Sequence, residues 1–210
     1  TMMPYFTVTG ITHRKDPIWQ SFISQYAPSE SSKIKQIAWE NNIYKYLRFN
    51  CNLLNVLAVA SHEETSVGAG LVVIQTKNHD QAKVWEALET CAKVSLGTKI
   101  IVAVDEDIDP RNNDMVHWVM ATRMQPHEDC RIVEGLGLGK DISLIRPGVR
   151  QKQNVPHEFL PKSSRLLVNA TMKWPYLPVS LPKKEYMERA LKLWQREGLP
   201  DLDLKEPWWG

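Results

Sequence analysis

The sequence predicts an α/β domain. We expect a mixed, mostly parallel sheet flanked by helices, with an N-terminal strand that belongs to a missing domain and a C-terminal helical arm. Three observations predict it. Apolar, β-branched runs at 53–60, 67–75 and 100–104 alternate with stretches of helical spacing at 33–48 and after Asp80. The run at 100–104 is apolar throughout, as for a strand covered on both faces. The last third changes character: Pro175, Pro178 and Pro182 precede an amphipathic stretch at 184–197.

Residues 5–12 are rich in Thr, Val and Ile and read as a strand, which needs a pairing partner. The chain begins with Thr rather than Met, and we expect residues upstream. Arg14-Lys15-Asp16-Pro17 reads as a charged turn. Ser29 to Ser32 opens a helix at 33–48 whose Ile34, Ile37, Ala38, Tyr44 and Leu47 approximate one face. A strand at 53–60, a loop at 61–65 and a strand at 67–75 follow, with Gly68 and Gly70 allowing close backbone approach or a bulge. Asp80 caps a helix carrying Ala82, Trp85, Leu88 and Ala92; it ends near Lys93, and Gly97 turns the chain.

Residues 99–134 read as strand, acidic turn, helix, turn, strand. Asp105, Glu106, Asp107, Asp109 and Pro110 end the first strand, and Asn112 or Asn113 caps the helix of Met115, Trp118, Val119 and Thr122. Pro126 ends that helix and 130–133 is a second short run, so we expect a parallel, right-handed βαβ unit. Residues 136–164 lack periodicity, and 165–169 reads as a last short strand. The helix at 184–197 places Tyr186, Met187, Ala190, Leu191 and Trp194 on its apolar side. The tail ends Pro207-Trp208-Trp209, and tryptophans so placed are expected to dock somewhere.

Composition excludes several classes. A net charge of +2 supplies no field for nucleic acid or a membrane surface. No apolar run approaches a membrane span, and the first residues lack the pattern of a signal peptide. Cys51, Cys91 and Cys130 are far apart without metal-ligand spacing, which suits reduced thiols in a cytoplasmic protein.

Candidate chemistry is sparse. The acidic turn Asp105, Glu106, Asp107 and Asp109 sits at the end of a strand, where hard cations and ligands gather. Its plainer reading is helix capping plus ion pairs with Arg111 or Arg123. Gly135, Gly137, Gly139 and Lys140 invite a phosphate-loop reading, but no helix pattern follows to supply the N-terminus such a loop needs. His13, His62, His79, His117, His127 and His157 form no metal-binding pair and read as surface or structural groups. Glu63 and Glu64 are adjacent, so on an extended segment they point opposite ways. Lys93, at a helix end, would ordinarily cap helix carbonyls.

The stretch at 99–134, residues 6–18 with Thr7, Gly10, Ile11 and Asp16-Pro17, Ala121-Thr122-Arg123, and Asn169-Ala170-Thr171-Met172-Lys173-Trp174-Pro175 together resemble the C-terminal half of UbiD-type decarboxylases. These segments occur in the family's order across nearly the whole chain. The resemblance implies a carboxy-lyase that reversibly decarboxylates an aromatic, hydroxy-aromatic or heteroaromatic acid with prenylated FMN as electron sink. In such an enzyme a divalent metal (Mn or Mg) and K+ accompany the flavin, held by N-terminal residues with no counterpart here. The Glu-Arg-Glu catalytic set also lies there, so the resemblance implies no catalytic residue and no metal ligand in this chain.

It does imply three site residues. Lys93 would reach the cofactor phosphate, Thr7 would make a polar contact beside the flavin, and Ile11 would wall the substrate pocket. It implies 1–30 as strand and linker leaving the cofactor-binding domain, 31–174 as an α/β oligomerisation domain, and 175–210 as arm and helix exchanged with a neighbour. The partners expected are that prenylated-FMN-binding domain or subunit, further copies in a dimer or larger homo-oligomer, and the aromatic acid. The isolated chain is expected to bind no flavin tightly. The alternative is a non-catalytic assembly subunit of a split decarboxylase.

Overall fold

Three apolar strands run parallel at the centre of the sheet because helices cover both of their faces. They are β2 (Leu71–Thr76), β3 (Ile100–Asp105) and β5 (Ser164–Asn169), and antiparallel strands β1 (Val56–Ser61) and β4 (Cys130–Glu134) complete the order β1-β2-β3-β5-β4. The structure, a computed structural model, describes residues 5–21, 26–65, 70–77, 80–95, 97–134, 163–177 and 180–202. This is the expected mixed sheet flanked by helices.

Side chains alternate between two cores. Val72, Ile74, Ile101, Ala103 and Leu167 face α1 (Glu30–Lys45) and α2 (Gln81–Val94). Val73, Val102, Val104 and Val168 face α3 (Asn113–Thr122), against Ile108, Val116 and Val119. Each fully buried Val, Leu or Ile here stabilises by roughly 1.5–3 kcal/mol relative to exposure.

Local chemistry explains the boundaries. Asp80 caps α2 by accepting from the Ala82 and Lys83 amides, and Asn112 caps α3 through Asp114 and Met115. Gly97 takes φ of 93°, a left-handed turn into β3 that a side chain would oppose. A Cβ on Gly70 would meet the Thr65 carbonyl at 2.9 Å, so the close approach expected there is present. Gly68 lies outside the described residues.

The structure corrects the expected βαβ unit. β4 does not pair with β3; β5 lies between them, parallel to β3 and antiparallel to β4. β5 offers apolar side chains to both cores, whereas β4 leaves Arg131, Ile132 and Glu134 exposed and suits an edge. Arg131 there stacks 3.7 Å from the Trp85 ring centroid and pairs with Glu89. The parallel crossover through one helix is instead β2–α2–β3.

The face expected for α1 is also corrected. Ile34 and Ile37 are 69% and 54% exposed, while Ser32, Gln36, Glu40 and Ile43 are buried. The reason is the neighbour: α1 covers the open edge of β1, and an edge presents unpaired N–H and C=O groups rather than apolar surface. Glu40 accepts from the Ser61 amide at 2.9 Å, and Gln36 donates to the Ser61 carbonyl. One turn beyond α1, in the wide turn Tyr46–Asn50, Arg48 donates to the Leu54 and Val56 carbonyls.

Among the described residues, 5–21 form no strand where one was expected at 5–12, and Tyr5, Phe6, Ile11, Ile18 and Trp19 are exposed. Helix α5 (Lys184–Arg196) buries no residue; Met187, Leu191 and Trp194 are half-buried, and the Trp194 indole donates to the Pro200 carbonyl at 2.7 Å. Residues 203–210, with Trp208 and Trp209, and 135–162, with the glycine-rich stretch, lie outside the described residues. No helix among the described residues is long and apolar enough to cross a membrane.

Candidate functional site

Two polar constellations flank the turn after β3. The first lies at the C-terminal ends of β3 and β5. Arg123, at the end of α3, is 6% exposed; its guanidinium donates to Asp105 Oδ2 at 2.8 Å and forks onto Asp107 at 2.9 and 2.6 Å. Asp105 Oδ2 also accepts the Met172 amide at 2.8 Å. Burial pushes the Asp105 carboxyl above the ordinary value, although the Met172 amide and Arg123 pull it down. Lys173 donates to the Arg123 and Asn169 carbonyls at 2.9 and 2.8 Å and pairs with Asp129 at 3.1 Å, tying β5 to the end of α3. The Asn169–Pro175 segment thus serves the acidic turn directly.

The plainer reading of that turn therefore stands, with one change of partner. Arg123 takes Asp105 and Asp107, while the Asp109 carboxylate accepts the Arg111 backbone amide at 2.9 Å and the Asp109 carbonyl accepts the Asn112 amide at 3.0 Å. The Arg111 guanidinium goes elsewhere, forking onto Glu40 at 2.9 and 2.6 Å. Among the described residues, no group of three or more His, Cys, Asp or Glu could hold a metal ion.

The second constellation joins α1, the end of β1 and this turn. Burial alone would raise the Glu40 carboxyl, but the Arg111 fork, the Ser61 amide and Gln36 outweigh it and hold it below the ordinary value. His62 is buried and hydrogen-bonds the Pro110 carbonyl at 2.9 Å through Nε2. Beside them opens a cleft of about 780 Å³, lined by Lys33, Gln36, His62, Glu64, Asp109 and Asn113 among others. Glu63 and Glu64 sit in a short 3-10 turn (Glu63–Thr65) rather than on the extended segment expected, and both line this cleft, Glu63 pairing with Lys33 and Glu64 accepting from Asn113. The sequence reading missed this lock; the i, i+4 spacing of Ser32, Gln36 and Glu40 was its one signal.

The residues expected to meet a cofactor sit apart from both constellations. Lys93 lies exposed in the last turn of α2 and does not cap it. The Ser95 hydroxyl takes that role, donating to the Cys91 carbonyl at 2.7 Å, and Arg165 donates to the Ser95 carbonyl just beyond at 3.2 Å. The Lys93 ammonium has no hydrogen bond or ion pair among the described residues, so it is available to an anion. Thr7 and Ile11 are exposed on the N-terminal segment, Ile11 by 81%. An ammonium, a hydroxyl and an apolar side chain suit a flavin phosphate, a flavin edge and an aromatic ring respectively. They do not enclose one, and none of them lines the clefts beside α1. Burial pushes the Cys91 thiol up to about 12, so it is no nucleophile. His117 is exposed and His127 is exposed beside Glu128; His79 and His157 lie outside the described residues.

By fold and site this is a three-layer α/β domain whose acidic strand end is neutralised by arginine. Residues 38–153 match the model of the 3-octaprenyl-4-hydroxybenzoate carboxy-lyase C-terminal domain, and the chain belongs to that family, the C-terminal part of UbiD-class enzymes. It is 28% identical over 180 residues to the phenolic acid decarboxylase of Sedimentibacter hydroxybenzoicus, covering 80% of this chain and 36% of that protein. Among solved structures, it is similar to the vanillic acid decarboxylase of Sedimentibacter hydroxybenzoicus in open form, with a TM-score of 0.60 and 22% identity, over 89% of this chain and 38% of that one. It is also similar to an evolved dimeric form of the UbiD-class enzyme HmfF from Pelotomaculum thermopropionicum in complex with prenylated FMN, with a TM-score of 0.55 and 21% identity, over 78% of this chain and 31% of that one. The chain thus spans about a third of the length of these relatives.

Proposed function

We propose that the chain is the C-terminal part of a carboxy-lyase that decarboxylates, reversibly, an aromatic acid of the hydroxy-aromatic or heteroaromatic class. Family membership over 38–153 is the observation that carries this reading. The phenolic acid decarboxylase relative supports the substrate class. Prenylated FMN, with its divalent metal and K+, would supply the electron sink when bound to the other domain. This chain would contribute the oligomer interface and one wall of the site. Lys93 would pair with the cofactor phosphate as a compact point charge. Thr7 would offer a hydroxyl to the flavin, and Ile11 would exclude water beside the substrate ring. The acid and arginine of the reaction would come from the domain or subunit carrying the Glu-Arg-Glu set. The exposed apolar residues of 5–21 support such a neighbour, because Tyr5, Phe6, Ile18 and Trp19 are costly to leave in water.

The same exposed segment favours the second reading, a non-catalytic assembly subunit of a split decarboxylase. The intact mass of the native species separates the two: a mass well above 24.2 kDa supports the first, and a matching mass supports the second. Lys93→Met in the intact enzyme tests the site. We expect flavin retention to fall about tenfold or more, as for loss of a charge-assisted phosphate contact; unchanged flavin content would remove Lys93 from the site.

A further inference from the structure

We propose that the outer face of α1 is a two-fold interface with a second copy of this chain. This names a surface for the oligomer interface already proposed for the chain and rests on that reading. α1 is built the wrong way round for a solvated helix. Ser32, Gln36 and Glu40 are buried against the β1 edge, while Ile34 and Ile37 point outward and are exposed. Isoleucine loses side-chain freedom in a helix, and it forms helices less well than the Lys or Glu usual on solvated faces. Two outward isoleucines on one stripe are therefore better explained by a partner than by the isolated fold.

The partner is a second copy because the face is its own complement. At about 100° per residue, Glu30, Ile34, Ile37, Ala38, Asn41 and Lys45 fall within about 50° of one line along the helix, and all six are exposed. An antiparallel copy, related by a two-fold axis between Ile37 and Ala38, sets Ile37 beside Ala38, Ile34 beside Asn41 and Glu30 beside Lys45. Apolar side chains then meet at the centre and opposite charges meet at both ends. Neither Glu30 nor Lys45 has an ion pair among the described residues. Lys33 and Lys35 lie off this line, and Lys33 is already paired with Glu63, so like charges do not oppose one another. Asn41 donates to the Ile37 carbonyl of its own helix at 2.7 Å, which gives its amide nitrogen a partner within the seam. A shallow groove bounded by Pro28, Glu30 and Ile34 opens at the start of the helix, where the two-fold would lay the apolar stem of Lys45 from the other copy.

The test is sedimentation velocity of the 210-residue chain across a concentration series. We expect a monomer–dimer equilibrium. Glu30→Lys and Lys45→Glu should each weaken the dimer about tenfold, because symmetry makes each change count twice, and the two together should restore it. Both charges also favour their own ends of the helix dipole. The double variant puts both at the wrong ends, so its recovery cannot come from a more stable helix. Ile37→Asp, which sets two carboxylates across the axis, should weaken the dimer about a hundredfold. Lys192→Glu, a charge reversal on α5, should leave it unchanged. A monomer at every concentration would overturn this proposal together with the oligomer-interface reading. A dimer indifferent to Glu30→Lys and Ile37→Asp, or a double variant as weak as the single ones, would overturn the α1 assignment and leave that reading standing.

Discussion

Replacing Arg123 by leucine removes a buried guanidinium from the end of β3. The Asp107 fork contributes little to the cost, because that carboxylate is 42% exposed, and such pairs are worth about 0–1 kcal/mol. The Asp105 pair dominates: both side chains are 6% exposed, and removing one partner of a buried pair costs about 3–5 kcal/mol. For a chain of this size that lowers the melting temperature by about 6–20 °C. The pH dependence follows from the direction of the Asp105 shift. Its folded value is raised, so the folded state holds the proton more tightly than the unfolded state. Its contribution to stability is therefore greatest below the unfolded carboxyl value of about 3.9 and is lost as pH rises through the folded value. Without Arg123 that folded value rises further. The deficit of Arg123→Leu should be small near the unfolded carboxyl value and grow toward neutrality. Urea unfolding across that range measures it, and Asp105→Asn in the same chain should recover most of the loss. A deficit below about 1 kcal/mol at neutral pH, or one that does not change with pH, would refute the reasoning.

Other perturbations follow from the same geometry. Glu40→Gln should cost about 1–3 kcal/mol at neutral pH by urea unfolding. Because the folded Glu40 value is lowered, its contribution is present above the unfolded value of about 4.3 and lost as pH falls through the folded value, so variant and parent should converge in acid. Asn112→Ala removes the α3 cap and should cost about 1 kcal/mol in the same assay. Leu88→Ala opens a cavity at a fully buried position facing β3 and β5 and should cost about 2–5 kcal/mol.

Much of this fold could be read from particular residues. Asp80, Asn112 and Gly97 mark boundaries by local chemistry, and the structure places caps and turn where they were expected. The apolar run of β3 needed both faces covered, and they are. Pairing order was not legible, because it depends on residues distant in sequence. β5 displaces β4 from β3 through its Leu166, Leu167 and Val168, a comparison local periodicity cannot make. The α1 face was misread for a related reason: a helix over a sheet edge buries hydrogen-bonding groups, while Ile34 and Ile37 stay outside. The acidic turn was legible as an ion-pair site, but the choice of Glu40 for Arg111 came only with the tertiary structure. Lys93, Thr7 and Ile11 came from resemblance, and their exposed positions suit residues that act against another domain.

The most direct test is to purify the 210-residue chain alone and together with the domain or subunit that carries the Glu-Arg-Glu set, recording flavin absorbance and carbon dioxide release from a hydroxybenzoic acid. The account predicts neither signal from the chain alone and both from the combination. Flavin absorbance and decarboxylation by the chain alone would contradict it.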